Sequence, residues 1–311
     1  MKNTAFFFPG QGSQSVGMMN GFGDSDLIRD TFAEASDILG VDFWAMATEP
    51  NEHINETTHT QPIMLTAGVA SWRAWQAAAT DHLPSVLAGH SLGEYTALVA
   101  SGALSFKDAL PLVRYRAEVM QNAVPAGVGA MAAILGLDDE AVRALCLEAA
   151  QNEVLEAVNL NSPGQVVIAG NKAAVERGMV LAKEKGAKRA LPLPVSVPSH
   201  CALMRPAAIK LAEYLKSVTV NTPKIPVLHN ADVAAYNDSD QIKDALVRQL
   251  HSPVRWVETV QAVYAQGVTL SAECGPGKVL SGLTKRIVAE LTCVALTSNE
   301  AIEEFKTQLS A

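Results

Sequence analysis

The chain has 311 residues, of which 49% are hydrophobic and 18% charged, with a formal net charge of -8. This composition excludes a disordered tail or a minimal binding module, and suits one large domain or a large domain with a smaller companion. The acidic balance argues against broad binding to nucleic acid or to anionic membranes; the apolar run at Met1 to Phe8 is too short for a signal peptide and no stretch reaches a membrane span, so a soluble, cytoplasmic protein is expected.

Thr4 to Phe8 is predicted as a buried strand, ended by the turn-forming Pro9-Gly10-Gln11-Gly12-Ser13-Gln14. Helical patterns follow at Leu27–Leu39 and Gln61–Trp75. Ser85 to Ala88 reads as a short apolar strand and Leu92 to Ser101 as a helix ended by Gly102; between them Gly89-His90-Ser91-Leu92-Gly93 fits the G-x-S-x-G nucleophile elbow. A serine at such a turn projects its hydroxyl out of the backbone. The two glycines relieve crowding between strand and helix, and free N–H groups at the helix start, Leu92 among them, suit a developing oxyanion. A further helix runs from Phe106 through Asn122.

After a break at Pro125 to Gly129 come a strand (Ala130–Leu135), a helix (Asp138–Ala150), and two strands (Val154–Leu160, Gln165–Gly170) around the Asn161-Ser162-Pro163-Gly164 turn. A helix (Lys172–Lys185) and a closing strand (Arg189–Leu193) complete a β-α-β-β-α-β order, the ferredoxin-like pattern. Beyond Pro194 the larger rhythm resumes with a helix at Ala202–Lys216, a strand at Ile225–Asn230, a helix near Gln241–Gln249 and a strand at Thr269–Glu273. The expected fold class is α/β: a large α/β-hydrolase-like domain with a mainly parallel sheet, formed discontinuously by residues 1–125 and 195–311, plus an inserted smaller ferredoxin-like domain at residues 126–194.

A serine nucleophile needs a general base, and histidine is the usual choice. His53, His59 and His82 sit in polar stretches and read as solvated surface residues, while His90 inside the elbow reads as a support of the turn. The residues alone leave His200, His229 and His251 open, and an α/β-hydrolase esterase would pair His251 with Asp232, Asp238 or Asp240 before it. Cys146, Cys201, Cys274 and Cys293 form no C-x-x-C pair, so reduced thiols and no metal site are expected. Cys201 adjoins His200, but neighbouring side chains on an extended chain diverge, which leaves it a packing role. Arg116, taken alone, reads as a helix-surface cation paired with Glu118 or Asp108.

The turn at Pro9 to Gln14, the elbow, Pro194-Val195-Ser196-Val197-Pro198-Ser199-His200 and Gly275-Pro276-Gly277-Lys278 occur together in this order, with Asn161 to Gly170 as a further matching stretch. Over essentially the whole chain this resembles the malonyl-CoA:acyl carrier protein transacylases of bacterial type II fatty acid synthesis. The resemblance implies Ser91 as nucleophile, His200 as its base, the N–H groups of Gln11 and Leu92 as oxyanion hole, and Arg116 as the clamp on the malonyl carboxylate, a role suited to a planar guanidinium. It implies that a backbone carbonyl near Gln249 orients His200 in place of an aspartate. It implies malonyl-CoA as substrate, no bound cofactor, and coenzyme A and acyl carrier protein as partners of a monomeric enzyme. Val197 to His200 resembles the malonyl-selective form of its loop.

Carrier proteins of this kind are acidic, so a local cationic landing area is expected despite the acidic total. Lys183, Lys185 and Lys278 are candidates, and Lys188, Arg189, Lys285 and Arg286 are the chosen ones. Two other readings stand beside the transferase: an esterase using the same serine with water as acceptor, and a non-catalytic acyl-binding scaffold, whose mark would be loss of Ser91, His200 or Arg116.

Overall fold

The structure is a computed structural model and describes residues 2–195 and 197–310; Ser196 of the His200 loop motif, and the two end residues of the expected large domain, lie outside the described residues. In chain order the elements are β1 (Thr4–Phe8), α1 (Asp26–Leu39), α2 (Phe43–Thr48), α3 (Thr57–Ala78), β2 (Val86–Gly89), α4 (Gly93–Ala100), α5 (Phe106–Gln121), β3 (Gly129–Leu135), α6 (Asp139–Ala150), β4 (Leu155–Ser162) and β5 (Gln165–Asn171). They continue as α7 (Lys172–Glu184), β6 (Arg189–Pro192), α8 (Arg205–Leu215), β7 (Val227–Leu228), α9 (Ser239–Leu250), α10 (Trp256–Ala265), β8 (Leu270–Glu273), α11 (Val279–Ile287), β9 (Thr292–Ala295) and α12 (Asn299–Ser310).

The described strands form a five-stranded parallel sheet in the order β7-β2-β1-β8-β9 and a four-stranded antiparallel sheet in the order β4-β5-β3-β6. Strands β1, β2 and β8 of the first sheet are buried throughout, and Ala5–Phe8 at its centre is an unbroken apolar run. Side chains alternate along β1. Phe6 and Phe8 enter the core under α3 and α12, where Phe6 meets Trp72, Trp75 and Phe305 with ring centroids 5.2–5.6 Å apart. Phe7 points the opposite way, 5.4 Å from the Trp256 ring on α10. Each such buried aromatic side chain contributes about 1.5–3 kcal/mol.

The second sheet owns a separate core, built by Ala132, Ile134, Val166 and Ile168 of its strands against Val142 and Leu145 of α6 and Val175 and Ala182 of α7. The two sheets meet where β4 bonds to the chain before α10: Val254 N–H donates to Val158 O at 2.8 Å, and Leu160 N–H to Val254 O at 3.0 Å.

Most predicted elements form, and the differences have local causes. The helix expected from Ala202 divides into a 3-10 turn, Ala202–Met204, and α8, with Pro206 in the first turn of α8 where no intrahelical N–H is required. The strand expected through Asn230 ends at Leu228, since Asn230 gives its backbone N–H to the Glu94 carboxylate instead of to a neighbouring strand. Strand β4 runs on through Ser162, so the expected four-residue turn tightens to Pro163-Gly164. Helices α2, α10, α11 and α12 and strand β9 go beyond the predicted elements. His82, expected in solvent, is only 8% exposed. The loop after α3 folds it onto β1, where its Nε2 lies 2.8 Å from Thr4 Oγ1 and its ring meets Trp75 edge-on.

Candidate active site

The parallel sheet delivers Ser91 at the carboxyl end of β2, the usual place for ligand chemistry in an open α/β sheet. Ser91 has φ +52°, the left-handed region that a serine adopts only when its surroundings hold it there. Those surroundings are explicit. Ser91 N–H donates to Asn230 Oδ1 at 2.8 Å, Asn230 Nδ2 donates to Gly89 O at 2.6 Å, and Gln249 Nε2 donates to Ser91 O at 2.9 Å. A Cβ on Gly89 would lie 1.9 Å from the backbone of Gly93, so glycine is required where β2 passes α4. Gly89→Ala is therefore expected to cost about 1–3 kcal/mol or more in urea unfolding, and wild-type stability in that variant would contradict this packing.

Ser91 Oγ lies 2.8 Å from His200 Nε2, and His200 Nδ1 lies 2.7 Å from the backbone oxygen of Gln249. A carbonyl only accepts, so Nδ1 carries the ring proton and Nε2 turns its lone pair to the serine hydroxyl. His200 also has positive φ, +65°, and its N–H is tied to Leu250 O at 3.0 Å. The serine, the histidine and its carbonyl thus come from three distant parts of the chain.

Arg116 sits on the buried face of α5 with Leu112, Val113 and Met120, and is 1% exposed. Its Nη1 donates to Gln61 Oε1 at 2.7 Å, and its Nη2 to Gln249 Oε1 at 2.9 Å and more weakly to Ser91 Oγ at 3.4 Å. The Tyr95 ring lies 5.3 Å from the guanidinium carbon. The ion pair considered for Arg116 does not form: Glu118 goes to Arg114, and Asp108 accepts from the Ser105 hydroxyl at the start of α5. Among the described residues no carboxylate pairs with Arg116. A buried cation held by neutral amide oxygens is prepared for an anion from outside.

Gln11, Leu92, Ser91, His200 and Arg116 all line one pocket, along with Gln61, Met120, Met131, Asn159 and Val197. The glycine turn is pressed onto the elbow, since a Cβ on Gly10 would lie 2.4 Å from His90 O and 3.7 Å from Leu92 N. That brings the Gln11 and Leu92 backbones to the same wall.

Behind the pocket, Glu94 is fully buried. Its carboxylate accepts from Asn230 N–H and from Gln249 Nε2, both at 2.9 Å, and lies 2.7 Å from His229 Nδ1. His229 therefore belongs to the support of the elbow. Glu94, Gln61 and Asn230 were not singled out by sequence; only the adjacency of Glu94 to the elbow pointed their way. His90 bridges to the antiparallel sheet, its Nε2 2.8 Å from Asn161 Oδ1. His251 lies at the end of α9, while Asp232 pairs with Arg248 and Asp238 caps α9, and among the described residues no Asp–His pair of the esterase kind involves His251. The Cys201 thiol donates to Pro198 O, and burial pushes its pKa up to about 12.

Burial, and after it the Arg116 charge, push the His200 pKa down from 6.5 to about 3. The native imidazole then stays neutral between those values, whereas the unfolded chain takes up its proton near 6.5. The unfolded state holds more protons in that window, so this group's contribution to stability is full above 6.5 and is lost as the pH falls toward 3. His90 is shifted the same way by burial. Urea unfolding from neutral toward acid pH should show a shallower loss of stability in His200→Ala than in the wild type; equal slopes would contradict the assignment.

Lys188, Arg189, Lys285 and Arg286 are all exposed. Arg286 Nη1 donates to Gln165 Oε1 at 2.8 Å, Gln165 pairs with Leu135, and Leu135 with Arg189. At normal strand spacing this sets the Gln165 and Arg189 backbones roughly 10 Å apart, so Arg286 of α11 and Arg189 of β6 lie near one another. Lys185 is instead paired with Glu148 at 2.8 Å. No helix among the described residues is long and apolar enough to cross a membrane.

The mixed α/β fold and the elbow serine define a protein of the acyl-transferring class, and residues 5–297 match the family model of the acyl transferase domain. The chain is 55% identical over 310 residues to the malonyl CoA-acyl carrier protein transacylase of Haemophilus influenzae, covering 98% of this chain and 99% of that one. The solved acyl-carrier-protein S-malonyltransferase from Burkholderia pseudomallei 1710b superimposes with a TM-score of 0.96 at 59% identity, covering 98% of this chain and 100% of the other. A chain of a solved complex described as a type II PKS acyl-carrier protein with its malonyl-transacylase matches with a TM-score of 0.96 at 50% identity, covering 99% of this chain and 100% of that one. This chain belongs to the acyl transferase family and, within it, to the malonyl CoA-acyl carrier protein transacylases.

Proposed function

We propose that this chain transfers the malonyl group from malonyl-CoA to the phosphopantetheine thiol of an acyl carrier protein, supplying fatty acid elongation. The observation that carries the reading is the buried Arg116, without a carboxylate partner among the described residues, beside the Ser91–His200 pair. In the first step Ser91 Oγ attacks the thioester carbonyl as its proton passes to His200 Nε2. The Gln11 and Leu92 N–H groups stabilise the tetrahedral oxyanion. Its collapse breaks the C–S bond, and His200 returns the proton to the departing coenzyme A sulfur. In the second step the carrier thiol gives its proton to His200 and attacks the malonyl-serine ester; the C–O bond breaks and Ser91 regains the proton. His200 is neutral at the start and end of each half-reaction, as its depressed pKa favours.

The Gln249 backbone carbonyl fixes the His200 tautomer, and the Arg116 guanidinium receives the malonyl carboxylate. Lys188, Arg189, Lys285 and Arg286 form the landing area for the acidic carrier. The catalytic unit is an α/β-hydrolase-like domain of residues 1–125 and 195–311 with a ferredoxin-like insertion at 126–194. The second sheet's own core and its strand order support that division. The enzyme uses malonyl-CoA as substrate and works as a monomer without a bound cofactor. The test is coenzyme A release from malonyl-CoA: carrier-dependent release supports transfer, and equally fast release without carrier supports hydrolysis.

A further inference from the structure

We propose that His53, Glu56 and His59 form a binding site for a divalent transition metal ion at the rim of the active-site pocket. The three residues follow a His-x-x-Glu-x-x-His spacing across the 3-10 turn His53–Asn55 and the first turn of α3. One ligand atom from each lies within 4.8 Å of the others. His53 Nδ1 is 2.8 Å from Glu56 Oε1, and His59 Nδ1 is 3.1 Å from Glu56 Oε2. A single carboxylate thus gathers two imidazoles whose rings stand 6.0 Å apart at 75°.

The behaviour of Glu56 at the helix start points the same way. It occupies the N-cap of α3 and, like Ser25 and Asn171 at theirs, its side chain caps nothing, whereas Asp42, Ser105, Asp138 and Asp238 each accept a backbone N–H at the corresponding place in their helices. Glutamate is not among the favoured N-cap residues, and here both of its oxygens are held by the two histidines instead. Two neutral imidazoles and a carboxylate are a donor set that zinc and its neighbours prefer. Metal–ligand bonds near 2.0–2.1 Å need donor atoms roughly 3.4 Å apart, so the cluster closes by a small side-chain movement.

The location joins the site to the pocket. Thr57, next to Glu56, lines the pocket and lies 3.4 Å from Gln11 Nε2, and Asn55 Oδ1 accepts from Gln14 Nε2 at 3.0 Å. An ion at residues 53–59 braces the segment on which the Gln11 loop rests. Burial raises the pKa of every cysteine in the chain, Cys146, Cys201 and Cys293 to about 12, so none competes as a thiolate.

Titration of the tag-free full chain with zinc chloride by calorimetry, and with cobalt chloride by visible absorption, tests the proposal. One equivalent should bind, with cobalt d–d bands and no thiolate charge-transfer band. His53→Ala and His59→Ala should each weaken binding by at least about tenfold, and Glu56→Gln likewise, while turnover in metal-free buffer stays at the wild-type level in all three. Absence of saturable binding by the wild type, or unchanged stoichiometric binding in the His53→Ala/His59→Ala double variant, overturns the proposal.

Discussion

Replacing Ser91 by alanine is expected to abolish covalent labelling by malonyl-CoA and to lower carrier-dependent transfer by about 10⁴-fold or more, the scale seen when a covalent nucleophile is removed. The variant should remain folded. The elbow is held by backbone bonds to Asn230 and Gln249, which do not involve the hydroxyl, and Ser91 Oγ faces the pocket with His200 and Arg116. Cys201 follows His200 in the chain but does not line that pocket; its buried thiol donates to Pro198 O and burial raises its pKa to about 12, so it offers no substitute nucleophile. Stoichiometric labelling of Ser91→Ala at any other residue, read by peptide mass mapping, would contradict the scheme.

The second large effect is expected from Arg116→Ala. Two charge-assisted hydrogen bonds to a carboxylate, each worth about 1.5–3 kcal/mol, correspond to a loss of roughly 10²- to 10⁴-fold in kcat/KM for malonyl-CoA. Acetyl-CoA has no carboxylate to lose, so its kcat/KM should change by less than about tenfold. A second consequence moves the same way: Arg116 is one of the charges that keep the His200 pKa low, so its removal makes His200 a stronger base and partly offsets any damage to acetyl transfer. Arg116→Lys keeps the charge but lacks the planar fork, and should restore malonyl transfer only in part. Because Gln61 and Gln249 lose their donor in the alanine variant, unfolding midpoints should be recorded beside the kinetics. Equal losses for both substrates would make Arg116 a structural residue.

Local chemistry made the elbow legible. Glycine at 89 is forced by the contact of β2 with α4, glycine at 93 by the approach of α4 to the Phe8 backbone at the end of β1, and the Thr4–Phe8 run by burial on both faces, so all stand out in a single sequence. The two helix-strand alternations, and with them the parallel and antiparallel sheets, were visible for the same reason. Long-range pairing was not. Residues alone left His200, His229 and His251 equal, and what separates them is contact: Ser91 Oγ for the first, Glu94 for the second, the end of α9 for the third. Arg116 looked like a surface cation because nothing in its own helix tells that α5 turns it inward to Gln61 and Gln249. His82 misled in the same way, since a polar loop hides that it folds back on Thr4.

The resemblance pointed to Gln249 only for the carbonyl beside His200; its other contacts are long-range and invisible to pattern reading. Its backbone oxygen orients His200, its side-chain oxygen holds Arg116, and its amide nitrogen binds Ser91 O and Glu94. One residue thus touches His200, Arg116, Ser91 and Glu94 at once, and only the folded chain reveals those joint contacts. Glu94→Gln should therefore disturb kcat more than KM for malonyl-CoA, since Glu94 anchors Gln249 without lining the pocket.

The central claim is a malonyl-serine intermediate that a carrier thiol resolves, and intact-mass spectrometry in two stages tests it most directly. Mixing the enzyme with malonyl-CoA should add one malonyl mass, mapped to Ser91; adding pantetheinylated carrier protein should return the enzyme to its original mass and move the malonyl mass to the carrier. An enzyme that stays unlabelled while the carrier becomes malonylated, or a labelled enzyme that discharges to water at the same rate with or without carrier, would contradict the account.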